Sequence, residues 1–193
     1  GRALILPFTH PVISKIGGYF MDSSLSRILI PSFIRTAHID LSQCEPPAGG
    51  RYRSFNDLFT RRLLPRARPF DPDPLTLASP CDARLTAYPI SPRRVFHIKQ
   101  TAYRLEDLLR DPNLARRFAG GTALVFRLCV DDYHRYAWPD GGLRAHYRKI
   151  PGRLHTVNPV ANDHFPIYKE NCREYTVVRS QQFGTYLMID RKS

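Results

Sequence analysis

Apolar positions crowd the first third of the chain. Leu4, Ile5, Leu6, Phe8, Val12, Ile13, Ile16, Tyr19, Phe20, Leu25, Ile28, Leu29, Ile30, Phe33 and Ile34 are interleaved with Lys15, Arg27 and Arg35. This pattern predicts short helices that either lie on a bilayer surface or pack on the protein's own core. The run Pro46-Pro47-Ala48-Gly49-Gly50 breaks it. Ser54 then reads as the N-cap of a helix reaching about Leu63. Phe55, Leu58, Phe59 and Leu63 share one of its faces, and Arg61 and Arg62 point away. The proline-rich stretch 65–74 excludes regular structure.

Beyond it the pattern turns to short strands. Leu85–Tyr88 and Val95–Lys99 are predicted strands, and Tyr103–Arg110 a helix ended by Asp111-Pro112. After Gly120-Gly121, Thr122–Val130 is an apolar run interrupted only by Arg127. Leu143–Ile150 and Arg153–Val157 read as strands joined by a Pro151-Gly152 turn, followed by Glu174–Arg179 and Phe183–Ile189. The predicted fold class is α+β, with N-terminal short helices followed by a mostly antiparallel β-sheet domain. The expected division is an apolar and basic helical segment over 1–48 and a second domain over 51–193.

Composition narrows the class. Apolar residues make up 42% of the 193 and charged residues 24%, which is globular rather than disordered. The net charge of +12 is uneven. Arg51, Arg53, Arg61, Arg62, Arg66 and Arg68 face only Asp57 within 51–70, and Arg144, Arg148, Lys149 and Arg153 form a second acid-free stretch. Such patches suit an anionic membrane or polyanion, or keep a surface solvated. Cys44, Cys81, Cys129 and Cys172 have no metal-site spacing, so reduced thiols, an intracellular compartment and no metal are expected. No apolar run is long enough to span a membrane. Phosphate-loop, dinucleotide and RNA-binding signatures are absent, which leaves nucleic-acid binding resting on charge alone, and no nucleic-acid partner is expected.

Two segments could carry chemistry. Asp131-Asp132-Tyr133-His134-Arg135-Tyr136 follows the apolar run 122–130. A histidine beside carboxylates can act as a general base, and on a strand Asp132 and His134 would share a side. Ser79-Pro80-Cys81-Asp82-Ala83-Arg84 holds one carboxylate in a proline-constrained turn, suited either to orienting a distant histidine or to capping the turn. His146, His155 and His164 are isolated.

In order along the chain, these pieces resemble the phosphatidylserine decarboxylases. Ser54 to Leu63 (SFNDLFTRRL) is similar to the family's FNDFFTRKL segment, and Ala67-Arg68-Pro69 to its continuation. Ser79 to Arg84 resembles an SP-x-DG-x segment with Ala83 for glycine. Val95–Lys99 with Tyr103–Leu109 resembles an IKG…LL block with Gln100 for glycine. Arg127-Leu128-Cys129, Asp132-Tyr133-His134-Arg135, Val157-Asn158-Pro159, Asn171 with Arg173-Glu174, and Phe183-Gly184 complete a series over about residues 51–189.

The resemblance implies a carboxy-lyase that converts phosphatidylserine to phosphatidylethanolamine and CO2 through a Schiff base on a pyruvoyl group. That group forms when the family's chain cuts itself at a serine in an LGST-like motif, by an Asp–His–Ser relay. By position Asp82 and His134 are the catalytic candidates, and Tyr133, Arg135 and Asn158 the substrate-binding ones. Implied partners are an anionic phospholipid, a membrane surface on its bacterial-type cytoplasmic face, an α-subunit carrying the pyruvoyl group, and a second copy in a homodimer. Two departures bear on this. The family commonly carries a second histidine where Ala137 stands, so the relay is impaired or falls to His134 if it needs that histidine, and Ala137 alters only the pocket if it does not. The chain is also expected to be inactive alone, since Ser193 lacks the LGST context. The alternative is a non-catalytic, basic phospholipid-binding module on the same fold.

Overall fold

The computed structural model describes residues 11–98, 101–152 and 171–191. The mixed α+β class holds, with helices first and antiparallel sheets after. By contacts the described residues form two compact units, one containing 12–83 and 128–140, the other 84–98, 101–127, 141–152 and 171–191.

The first unit opens with helix α1 (Pro11–Asp22), a 3-10 helix (Ser24–Leu29) and α2 (Ile30–Thr36). Ser26, fully buried, donates to the carbonyl of Ser23 at 2.7 Å and accepts the Phe55 N–H at 2.8 Å. One hydroxyl thereby joins the N-terminal helices to α3 (Phe55–Phe59). Ser54 caps α3 as its sequence predicts, accepting the Asp57 N–H at 3.1 Å.

The predicted continuation of α3 to Leu63 does not occur. Cys44 and Leu63 form an antiparallel bridge, Arg62 O accepts from Glu45 N, and Gln43 O accepts from Leu64 N. These pairings take the backbone groups that further helix would have used. Arg61 also differs from expectation. It is 7% exposed, and among the described residues its Nε and Nη1 have no hydrogen-bond partner. A side chain read as solvent-facing is enclosed, because the helix ends before its face is set by helical spacing.

The second unit holds β1 (Arg84–Pro89), β2 (Val95–Ile98), β3 (Thr101–Arg104), α4 (Leu105–Leu109), α5 (Pro112–Arg116), β4 (Thr122–Arg127), β5 (Leu143–Ile150), β6 (Arg173–Arg179) and β7 (Thr185–Arg191). Its sheets pair as β1–β4, β2–β3 and β5–β6–β7, all antiparallel. Phe96, Tyr103, Leu105, Leu109, Ala115, Ile150, Tyr175 and Val177 lead its core. Tyr103 lies in β3 rather than in the predicted helix, stacked at 5.8 Å on Phe96, its partner in register. Asp111-Pro112 follows the end of α4 as predicted, and it also starts α5. The Asp111 carboxylate accepts the Leu114 N–H at 2.9 Å, with proline in the first turn. The predicted strand 183–189 begins at Thr185, since Ser180 Oγ accepts from the Gln182 and Phe183 amides and holds them in a turn. The predicted strand Arg153–Val157 lies outside the described residues.

Two features lock the β5–β6–β7 sheet. At Gly142 a Cβ would stand 2.6 Å from the Arg179 carbonyl, so the start of β5 admits only glycine without a shift. The buried Arg173 guanidinium donates to the carbonyls of Leu108 at 2.6 Å, Asp107 at 2.8 Å and Asn171 at 3.0 Å. A cation at the C-terminal end of α4 satisfies carbonyls that lack helical donors. Burial lowers its pKa from the ordinary arginine value, with Arg110 adding to the effect.

Candidate functional site

The candidate residues of the first unit lie on two irregular segments, 79–83 and 128–137. They run side by side. Pro80 O accepts the Ala137 N–H at 2.7 Å, and Pro139 O accepts the Ala78 N–H at 2.9 Å. Strand β4 stops at Arg127, earlier than the predicted Val130, and the six residues from Asp131 form no strand. The expected alternation of Asp132 and His134 against Tyr133 and Arg135 therefore does not apply. A tight turn replaces it. Asp132 Oδ2 accepts the Cys129 N–H at 2.5 Å, and the Asp132 N–H donates to Cys129 O at 3.2 Å.

His134 is half-buried beside this turn. Its Nε2 is 2.8 Å from Cys129 O, and its ring lies 4.2 Å from the Phe59 ring, tilted by 33°. Phe59 stacks in turn on Phe55 at 6.2 Å, and Phe55 meets Phe33 edge-on at 4.8 Å. Four rings thus run from α2 through α3 to the imidazole. In α3 the two phenylalanines are four residues apart, which puts them on one face.

Asp82 is gripped by an arginine. Arg68 takes its carboxylate with two nitrogens, Nε to Oδ1 at 2.8 Å and Nη2 to Oδ2 at 2.7 Å, while Nη1 donates to Gln43 at 2.6 Å. The hydrogen bonds to Asp82 raise the Arg68 pKa above its ordinary value. Among the described residues no hydrogen bond joins Asp82 to His134. The neighbouring Cys81 thiol is pushed up by burial, and the Asp82 and Asp132 charges add to this.

Arg135 donates from Nε and Nη2 to Thr60 O at 3.1 and 2.7 Å, bracing the last turn of α3. Tyr133 is half-buried in the same segment. Asn158 lies outside the described residues. Among the described residues no cluster of three or more His, Cys, Asp or Glu side chains is placed to hold a metal. Sequence reading missed Phe59 behind the imidazole, Arg68 on Asp82 and the Asp132 turn. Only the order of the FNDLF, ARP, SPCDA and DYHR blocks hinted that these segments meet.

That order is shared with known proteins. The phosphatidylserine decarboxylase family model matches residues 55–191. The chain is 39% identical over 191 residues to phosphatidylserine decarboxylase proenzyme 2 of Clostridium acetobutylicum, covering 98% of this chain and 65% of that protein. It is 40% identical over 181 residues to the phosphatidylserine decarboxylase proenzyme of Ruminiclostridium cellulolyticum, covering 93% and 60%. The corresponding proenzyme of Clostridium perfringens gives 40% over 181 residues, 93% and 61%. The chain thus spans between 60% and 65% of the length of these relatives. A family model covering both segments of the site, together with these relatives, shows that the chain belongs to the phosphatidylserine decarboxylase family.

Proposed function

We propose that this chain forms the larger part of a phosphatidylserine decarboxylase, acting with an α-subunit segment that carries a serine-derived pyruvoyl group. The observation that supports it most is His134: an imidazole anchored through Nε2, packed against Phe59, with no partner for Nδ1 among the described residues. That donor set fits the group, whose chemistry requires a nearby proton carrier. When present, the pyruvoyl group accepts the electron pair freed as the substrate carboxylate leaves as CO2. In this reading His134 takes and returns a proton at Nδ1, and Phe59 keeps water from one face of its ring. Arg135 holds the end of α3 that carries Phe59. Tyr133 and Asn158 are left as candidate contacts to the substrate.

The proposed substrate is phosphatidylserine and the proposed setting a membrane surface on its intracellular, cytoplasmic face. Ile16, Leu25 and Ile28 are 62%, 74% and 81% exposed, beside Lys15 and Arg27, which suits an apolar face with cations at an anionic bilayer. An open groove of about 490 Å3 has Arg27 and Arg51 together with Ile30, Ile34 and Pro47 in its lining, so it offers both chemistries a phospholipid carries. Among the described residues no helix is long and apolar enough to cross a membrane. A homodimer is a further proposal, and it rests on family membership alone.

One observation favours the second reading, a non-catalytic phospholipid-binding module. Asp82 is occupied by Arg68, and position 137, whose N–H is bonded to Pro80 two residues before Asp82, is alanine. The decisive assay incubates the chain with phosphatidylserine vesicles, alone and co-expressed with the C-terminal segment of the Clostridium acetobutylicum relative. Phosphatidylethanolamine formed only in the second case, and lost in His134→Ala, supports the decarboxylase. Vesicle binding without turnover in either case supports the module.

A further inference from the structure

We propose that Asp132 is the positioning residue of His134, acting through the backbone of Cys129 and leaving Nδ1 as the nitrogen that exchanges protons. Strand β4 ends at Arg127, so no ladder holds the backbone at 129. The Asp132 carboxylate takes over that task by accepting the Cys129 N–H at 2.5 Å, while the Asp132 N–H donates to the Cys129 carbonyl at 3.2 Å. The same carbonyl lies 2.8 Å from His134 Nε2. A carbonyl only accepts, so Nε2 must carry the hydrogen, and in the neutral ring Nδ1 is then the free base. The Phe59 ring at 4.2 Å fixes the plane of the imidazole, but a ring face does not choose which nitrogen points where. The carbonyl does, and Asp132 holds the carbonyl. No carboxylate is hydrogen-bonded to the ring among the described residues, so this indirect hold replaces the direct one that a relay of aspartate and histidine would provide.

The inference rests on reading His134 as the proton carrier, but its test is made on the imidazole itself and stands whether or not the protein decarboxylates. In the histidine-15N-labelled 193-residue chain, the His134 Nε2–H gives a resolved signal protected from exchange with water. The carbethoxylation rate of His134 by diethyl pyrocarbonate, followed by peptide mass, rises about fivefold in Asp132→Ala, the factor that loss of one ordinary hydrogen bond confers. Asp132→Asn, whose side-chain oxygen still accepts the Cys129 N–H, stays near the wild-type rate. An unprotected Nε2–H in the wild type overturns the proposal even if the alanine variant fails to fold. An alanine variant that reacts at the wild-type rate, or an asparagine variant as fast as alanine, overturns it as well.

Discussion

The Arg68–Asp82 pair is where the two functional readings part, and its strength is measurable. A double-mutant cycle with Arg68→Met and Asp82→Asn isolates the coupling. The contact is bidentate, with bonds of 2.7 to 3.1 Å, which argues for the upper end of what ion pairs supply. The side chains, however, are 49% and 25% exposed, so solvent and salt screen the charges. Exposure wins for the arginine half, and the expected coupling is about 1 kcal/mol, near the top of the range for surface pairs. Urea denaturation of the four proteins at low and high salt reads it, and the coupling shrinks as salt rises. At that strength Arg68 can be displaced by an imidazole or a substrate group, and Asp82 remains available for chemistry. A coupling above about 3 kcal/mol, the scale of breaking a buried pair, refutes the reasoning and marks Asp82 as structurally committed. A coupling of zero refutes it from the other side, since the two-nitrogen grip would then hold nothing.

Three other outcomes follow from the structure. Arg173→Met leaves the Asp107, Leu108 and Asn171 carbonyls without their donor and costs about 3 kcal/mol in urea denaturation, after allowing for relief of the buried charge. The Glu106 carboxyl is held below its ordinary pKa, first by a backbone hydrogen bond and further by Arg94, against the opposing effect of burial. Its contribution is therefore present above the unfolded carboxyl value and lost as pH falls through the lower folded value, so Glu106→Gln flattens the acid limb of a stability-versus-pH curve. Cys81, whose thiol is pushed up by burial, is alkylated by iodoacetamide only at higher pH than the same residue in urea, which a pH series with peptide mass detects.

Local features of this fold are legible in the amino-acid sequence. Ser54 caps α3, Leu143–Ile150 is a strand at the predicted bounds, and the block order named the family, because caps, strand periodicity and motif order are written in neighbouring residues. Where expectation and fold part, a distant partner decided. Leu63 left the helix for Cys44, Tyr103 left it for Phe96, and Arg61 was enclosed although its neighbours in sequence suggested solvent. The site follows the same division. Its residue types, Asp82, His134 and the carboxylate of Asp132, were determined by sequence alone. Their partners were not: Phe59 behind His134 and Thr60 on Arg135 lie about 75 positions away, and Arg68 reaches Asp82 across 14. Periodicity reports which face a side chain shares with residues a turn or a pleat away. Which carbonyl, ring or guanidinium waits across a loop is set only when the chain has closed on itself, and that closure brought Nε2 of His134 against the Cys129 carbonyl.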